Sequence, residues 1–523
     1  MDFEEIEREL KVFEAEERKR LGIEEEKVQH WHDANPQTFT RDQRETTTLL
    51  IGGLTLAHDT LITGALDGLG YKVQALDCPD LEALRLGKEF GNRGQCNPTY
   101  FTVGNLIKQL TKLRDKDGLS KDDILKKYVF LTAGACGPCR FGTYVTEYRK
   151  ALVDSGFDGF RVLLFQQQGG LKQATGEATG LELNTTFFKG VVAAVMAGDC
   201  LNLAGYRIRP YEVTKGDTDA ALEDCKALLR ETLQRRGSVI TALLRCRSRL
   251  NKIAVNRLRP KPKVSIIGEF WAMTTEGDGN HRLQRFLEQE GAEVDIQPVT
   301  AWLLYNIWEH QHDTRKRQTL RGEDQGIVGL KDKNPTTKLA LLWGAEKVVR
   351  GLFGLYAKAI GLGGYHLPDM DQVASISHQY YDNHLRGGEG HMEVGKLINT
   401  VKHRKAHMVI SVKPFGCMPS SGVSDGIQSL ITARYPEAIF TAIETTGDGE
   451  VNVQSRIQMD LFKARAKAEA EYKAALGRSG LEEAALTKKF SKRSKALHHP
   501  PHVVAGTAAN QVLELAGIGE WTA

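Results

Sequence analysis

Four cysteines lie in short segments rich in glycine and proline, where a thiol is more suited to binding or chemistry than to filling a core. Cys136 and Cys139 form a Cys-Gly-Pro-Cys pair directly after the apolar stretch 128–132. Cys417 lies between Gly416 and a Met-Pro dipeptide, and Cys96 comes just before a predicted helix. A helix N-terminus stabilises a thiolate, which is the form that binds metals. We therefore predict that these four thiols are ligands.

Three chemistries fit this set. A Cys-x-x-Cys pair alone can be a redox dithiol as readily as a pair of ligands. Zinc bound by four cysteines usually pairs two such units on a small ribbon, whereas these thiols are spread from Cys96 to Cys417. That spread favours an iron–sulfur cluster held between two domains, while zinc remains the competing metal. Glycines around the pair would let backbone N–H groups approach the sulfurs and tune a cluster's potential.

The remaining cysteines are weaker candidates. Cys200, Cys225 and Cys246 lie in helical, apolar patterns and are predicted to be core residues. Cys78 lies at the end of a strand and is a lesser candidate for the neighbourhood of the site.

Several polar residues also follow predicted strands, at the sheet edge where ligands bind in α/β proteins. Arg140, beside the cysteine pair, would neutralise negative charge. Gln166 and Gln167 could line a pocket or form an ordinary loop, and Glu269 would face the cleft from the second domain. Glu444 is interpreted as capping the following helix rather than as an acid–base group. These pocket candidates are Arg140, Gln166, Gln167, Glu269 and Glu444.

The elements that position these residues form two similar halves, each opening with a strand, a glycine turn and a helix. This predicts an α/β fold with two parallel-sheet, Rossmann-like domains, helical insertions and helical terminal segments, with the site in the cleft between the domains. The first four strands are predicted at residues 49–51, 71–76, 128–132 and 161–165, and the later four at residues 264–268, before Ile296, at 408–412 and at 438–444. The predicted organisation is a helical segment at 1–45, a first α/β domain at 46–205, a helical linker at 206–260, a second α/β domain at 261–475 with a helical insertion at 301–405, and a basic C-terminal segment at 476–523.

Charge and hydropathy exclude several classes of protein. The formal net charge of +4 is small for 523 residues, and the basic cluster near the C-terminus is interpreted as a solvated face, so no nucleic-acid partner is expected. No run of about 18 apolar residues predicts a membrane span, and the charged N-terminus lacks a signal peptide's apolar core. We therefore predict a cytoplasmic protein, in which eight cysteines are not expected to form structural disulfides.

The segments around the cysteines resemble the D-component family of 2-hydroxyacyl-CoA dehydratases and the related reductase portions that work with an activase ATPase. The resemblance covers about residues 46–465, least clearly at 300–400, and rests on the segments containing Cys96, the Cys136–Cys139 pair and Cys417. It implies an oxygen-sensitive protein of anaerobes with a [4Fe–4S] cluster or, as in the double-cubane branch, an [8Fe–9S] cluster. By motif, Cys96, Cys136, Cys139 and Cys417 take the ligand positions.

The resemblance also implies the function. We expect an iron–sulfur oxidoreductase that receives low-potential electrons from an activase, with ATP used only by that partner, since the chain lacks the Gly-x-x-x-x-Gly-Lys-Ser/Thr motif. A homodimer or larger assembly is expected. A second possible activity is that of a 2-hydroxyacyl-CoA dehydratase subunit, although two cysteines in the pair suit a fully ligated cluster for electron transfer better than one with an open iron. A zinc-stabilised binding protein is the non-enzymatic alternative.

Overall fold

The structure, a computed structural model, describes residues 3–21, 39–134, 139–166, 180–320, 330, 334–385, 390–493 and 495–519. The chain divides into two compact units, residues 1–35 and residues 36–523. The first contains helix α1 (Phe3–Arg20), whose charged face carries an Arg18–Glu14 ion pair of 2.9 Å. All other elements belong to the second unit.

Four parallel strands form the first sheet, in the order β2-β1-β3-β4. Side chains alternate between its faces, so that Leu50 and Phe130 pack on one side and Leu49 and Val129 on the other. The strands are β1 (Thr48–Ile51), β2 (Lys72–Ala75), β3 (Tyr128–Gly134) and β4 (Val162–Gln166).

Helices cover both faces of this sheet. The connecting helices are α2 (Leu56–Asp67), α3 (Leu81–Phe90), α4 (Asn97–Asp115), α5 (Lys121–Lys127) and α6 (Tyr144–Asp154). Helices α3 and α4 cross at Gly87 and Gly104, where a β-carbon would lie within 2 Å of a backbone oxygen of the other helix. Only glycine permits this approach, which fixes the start of α4 against the sheet.

Three helices link the first sheet to the second: α7 (Thr185–Ile208), α8 (Asp217–Gln234) and α9 (Val239–Leu250). The segment Thr185–Tyr211 is long and apolar enough to cross a membrane by composition, but 61% of its most apolar window is buried inside the protein. That burial is typical of a core helix, and such a segment alone is weak support for a membrane span.

The second sheet repeats the order of the first, as β6-β5-β7-β8, again fully parallel. Its strands are β5 (Lys263–Gly268), β6 (Glu293–Ile296), β7 (Met408–Pro414) and β8 (Ile439–Thr445). The helices of this half are α10 (Phe270–Thr274), α11 (Leu283–Gln289), α12 (Val299–Arg317), α13 (Pro335–Ile360), α14 (Met370–Ser377), α15 (Gly390–Lys402), α16 (Met418–Gly422), α17 (Gln428–Arg434) and α18 (Glu450–Ser479), followed by α19 (Glu483–Arg493) and α20 (Thr507–Ala516).

A buried carboxylate joins the helical linker to the second half. Asp199 of α7 accepts hydrogen bonds from Val299 N and Thr300 N, both at 2.7 Å, and so caps the N-terminus of α12. It also lies 3.2 Å from His58 Nε2, whose other ring nitrogen lies 2.7 Å from Thr55 Oγ1. A buried charge is retained at low cost only when it is hydrogen-bonded in this way.

The predicted fold class is confirmed: the protein has two four-stranded parallel sheets, and each predicted strand lies within two residues of an observed one or overlaps it. The C-terminal segment, whose structure the sequence leaves open, contains helices α19 and α20. The unit of residues 36–523 is not divided further, so the internal domain boundaries remain predictions.

Candidate functional site

The cysteine loops occupy equivalent positions in the two sheets. In the order 2-1-3-4, the chain leaves the central strands β1 and β3 in opposite directions, which opens a crevice at their carboxyl ends. The Cys136–Cys139 pair follows β3, and Cys417 follows β7, the corresponding strand of the second sheet. The shared topology therefore explains why thiols far apart in sequence appear in similar loops.

All three described thiols of the set begin helical segments. Cys96 is the N-cap of α4, and Cys417 is the N-cap of α16, each followed by a proline in the first turn. Cys139 is the N-cap of the short 3₁₀ helix Arg140–Thr143, and its Sγ accepts a 3.5 Å hydrogen bond from Phe141 N. The first N–H groups of a helix point toward its cap, so backbone donors face each of these positions.

The helical segment after Cys417 is longer than α16 alone. It continues through a π-helical turn at Val423–Ile427 into α17. Single π-turns occur often at functional sites, where they rotate the residues that precede them.

The loops of Cys96 and Cys417 are in direct contact, although they come from different halves of the fold. Asn97 N donates to Phe415 O at 3.0 Å, and Asn97 Nδ2 donates to Thr445 O at 2.9 Å. Gly416 has a φ of +75°, and a β-carbon there would lie 3.2 Å from Cys96 Cα. The backbone of the second sheet's cysteine loop thus lies against Cys96 itself.

Tyr144 connects Cys96 to the other cysteine loop. It is the first residue of α6, five positions after Cys139, and its hydroxyl lies 3.2 Å from Cys96 Sγ. Thr99 Oγ1 lies at the same distance from that sulfur. Burial raises the pKa of Tyr144 well above its usual value, and the charges of Cys96 and Glu269 raise it further. The phenol therefore stays protonated and can donate to a Cys96 thiolate.

Glu269 follows β5 of the second sheet, and its charge is felt at Tyr144. It is the N-cap of α10, and its carboxylate accepts from Ala272 N at 2.8 Å. Burial raises the pKa of Glu269, while hydrogen bonds from the backbone of Ala272 and Trp271 lower it. The charge of Glu269 raises the pKa of Tyr144, so residues of both halves share one electrostatic environment.

The other pocket candidates have different positions. Arg140 is exposed beside Cys139. The capping role expected for Glu444 is wrong: α18 begins after Gly449, and the exposed Glu444 carboxylate lies 3.9 Å from Lys413 Nζ. Gln166 ends β4, but its side chain is not described, and Gln167 and Cys136 lie outside the described residues.

The remaining cysteines are separate from this arrangement. Cys200, Cys225 and Cys246 are buried in the helical core, as predicted. Cys78 lies beside Gly277, and burial together with the nearby Glu276 carboxylate raises its pKa to about 12. Such a thiol stays protonated and is a poor ligand.

A small cavity lies beside α15 in the second half. Its volume is about 10 Å³, the space of roughly one water molecule, and its lining includes Gly268, Glu393 and Lys396. Ser420, in the first turn after Cys417, donates to Glu393 Oε1 at 3.0 Å. Burial lowers the pKa of Lys396.

Sequence reasoning missed Tyr144, Asn97 and Glu393. A signal for Tyr144 exists, since it follows Cys139 at the start of a helix and so must lie near that loop. No local pattern marks Glu393, because its link to Ser420 depends on how α15 packs against the sheet.

Among the described residues, no three or more His, Cys, Asp or Glu side chains converge closely enough to hold one metal ion. Cys96, Cys139 and Cys417 therefore do not form a compact single-ion site by themselves. The chain matches no protein-family model, and a search of curated proteins finds no match to it. The family resemblance of the cysteine segments remains a prediction from those segments.

Proposed function

We propose that this chain is an iron–sulfur reductase, or the reductase component of a larger system, which receives low-potential electrons from an ATP-hydrolysing activase. The observation that supports this best is the contact between the Cys96 and Cys417 loops, where Asn97 N donates to Phe415 O at 3.0 Å. It brings together two of the four predicted ligands, which are separated by most of the chain. Tyr144 extends the same neighbourhood to the Cys139 loop.

The donor set fits a [4Fe–4S] cluster. Cys96, Cys139 and Cys417, together with Cys136, would supply four thiolates, and each of the described three is the N-cap of a helical segment. A bound cluster would supply one-electron chemistry. The chain's own contribution is to orient the thiolates, and to donate hydrogen bonds from Tyr144 and Thr99 to Cys96 Sγ.

Two cysteines in one loop, Cys136 and Cys139, suit a cluster whose irons are all bound by thiolates. Such a cluster has no open iron for a substrate, so we favour electron transfer or reduction over dehydration of a 2-hydroxyacyl-CoA thioester.

Electron paramagnetic resonance of the anaerobically purified protein tests the redox role. After reduction, the account predicts the signal of a [4Fe–4S] or double-cubane centre, and re-oxidation when a small substrate is added. A protein that gives no such signal and takes up no electrons from dithionite would contradict the proposal.

The same proposal includes a cytoplasmic location, a homodimer and an activase partner. Co-purification with an ATPase tests the activase partner.

A further inference from the structure

A larger cavity lies away from the thiols, in the C-terminal part of the fold. Its volume is about 310 Å³, at the lower end of the range for organic ligands. Residues of α19, α20 and the segment between them form its wall together with Arg257, which precedes the amino end of β5. The cysteine loops follow the carboxyl ends of the strands, so the cavity and the thiol site lie at opposite ends of the second sheet.

A buried positive charge lies in the wall of this cavity. Arg257 is 1% exposed, donates to the carbonyl oxygens of Lys495 and Ala496, and lies 5.7 Å from the ring centroid of Tyr211. Burial lowers the pKa of Arg257 and of neighbouring Arg207 to about 10. Within the described residues neither guanidinium forms an ion pair, which is unusual because buried charges are normally paired.

The acidic groups nearby are already engaged. The charge of Glu293 raises the pKa of both arginines. Its carboxylate, however, already accepts a 2.8 Å hydrogen bond from the Tyr211 hydroxyl and lies 3.8 Å from Lys263 Nζ. In the cavity wall, Glu514 Oε2 lies 2.8 Å from His498 Nε2 and accepts from Gln511 Nε2 at 2.8 Å. The positive charges of Arg257 and Lys495 are therefore left without a matching carboxylate among the described residues.

Two buried polar atoms of the wall also lack partners in the described part of the chain. These are Arg257 Nε, a donor, and Gln511 Oε1, an acceptor, on side chains that are 1% and 2% exposed. Leaving such an atom unsatisfied destabilises the folded protein. A ligand that carries an anionic group and a hydroxyl or amino donor would match a wall that contains Arg257, Lys495 and Gln511, while Phe490 and Leu515 offer apolar contacts to its body.

We propose that this cavity binds a small phosphate ester. The phosphate would lie toward Arg257 and Lys495, since a dianion matches two cationic groups better than a monocarboxylate does. The organic part would pack on Phe490 and Leu515, with its donor groups toward Gln511. This site is independent of the thiols and of the redox function proposed above.

Isothermal titration calorimetry of the full anaerobically purified chain tests the site, with adenosine monophosphate as the probe. The account predicts that adenosine monophosphate binds, that inorganic phosphate binds more weakly, and that adenosine, which lacks the phosphate, does not bind. Absence of heat with adenosine monophosphate at millimolar concentration would overturn the proposal. Equal binding of adenosine would overturn it too.

A charge reversal at the exposed Lys495 separates this site from general electrostatic attraction. Lys495→Glu should weaken binding by roughly tenfold or more, as expected for loss of a contact to a charged group. The matched control Lys488→Glu makes the same charge change on α19, outside the cavity wall, and should leave affinity unchanged. Equal weakening by both variants would exclude a specific site. Iron content, measured in both variants, should match that of the unaltered chain and so reports separately on the redox proposal.

Discussion

At the scale of single residues, the thiols are set apart by their positions rather than by their chemistry alone. Cys96 and Cys417 are buried, at 6% exposure each, and so are only slightly more exposed than the core cysteines. They differ because each precedes a helix and because Gly416 lies against Cys96. The sequence shows the first property, as a cysteine followed closely by proline, but the second depends on contacts between distant loops.

Tyr144 provides a prediction about reduction potential. Its hydroxyl, 3.2 Å from Cys96 Sγ, would stabilise the extra negative charge of a reduced cluster, so Tyr144→Phe should lower the potential. A hydrogen bond of about 1 kcal/mol corresponds to about 40 mV for one electron. Redox titration followed by electron paramagnetic resonance measures the change.

The matched control for this experiment is Tyr148→Phe. Tyr148 lies one turn further along α6 and is also buried, and burial raises its pKa to about 12, but its hydroxyl interacts with Thr102 and Thr132 and not with the thiol. The control should leave the potential in place. A shift of the same size in both variants would indicate a general effect on α6 and would remove Tyr144 from the site.

At the scale of secondary-structure elements, the position of the site follows from strands that the sequence predicts well. Short apolar stretches predict each strand, and parallel strands place their following loops at one edge. The prediction that Glu444 caps the helix after β8 is wrong, since α18 begins after Gly449. Glu444 belongs to the strand itself, and its position opposite Lys413 is set by strand pairing, which short-range pattern does not reveal.

Gly416 gives a prediction at this scale. Gly416→Ala introduces a β-carbon 3.2 Å from Cys96 Cα at a φ of +75°, so it should both destabilise the protein and reduce its iron content. The backbone contribution alone is about 1–2 kcal/mol. Melting temperature and iron analysis of the purified variant provide the two measurements.

A second glycine separates backbone strain from the contact between the loops. Gly480 ends α18 with a φ of +60°, and nothing lies within 4 Å of a β-carbon placed there. Gly480→Ala should therefore lower the melting temperature and leave the iron content unchanged. Iron loss of equal extent in both variants would show that the loop contact at Gly416 has no special importance.

At the scale of the whole molecule, the two halves meet through several polar contacts besides the cysteine loops. Glu276 Oε2 accepts from Leu56 N at 2.6 Å, and Asp278 N donates to Pro79 O at 3.2 Å. Asp59 lies in this region, where burial above all, with a contribution from the charge of Glu276, raises its pKa to about 6. The sequence predicts two sheets with the site between them. It does not predict these individual contacts, because no short-range pattern marks which loops face each other.

The raised pKa of Asp59 predicts a pH dependence of stability. The folded state holds its proton up to about pH 6, whereas the unfolded chain loses it near the ordinary value of 3.8. This stabilisation is complete below pH 3.8 and is lost as the pH rises through 6, a difference of about 3 kcal/mol. Relative to Asp59→Asn, which has no such proton, the unaltered protein should thus become less stable between pH 4 and pH 7.

Melting temperatures of the two proteins across this range measure the effect. Asp117→Asn, at an exposed position, serves as the control, and its difference from the unaltered chain should stay small and constant with pH. If the melting temperature of Asp59→Asn also differs from that of the unaltered protein by an amount that does not change with pH, the pKa of Asp59 is not raised.

The central claim is that Cys96, Cys136, Cys139 and Cys417 hold an iron–sulfur cluster, and iron and acid-labile sulfide analysis tests it most directly. We expect about four irons and four sulfides per chain, or eight irons for a double cubane. Cys417→Ala should lose or convert the cluster, while Cys200→Ala, the same change at a thiol buried in the helical core, should retain it. A colourless protein that holds zinc and no sulfide would contradict the account.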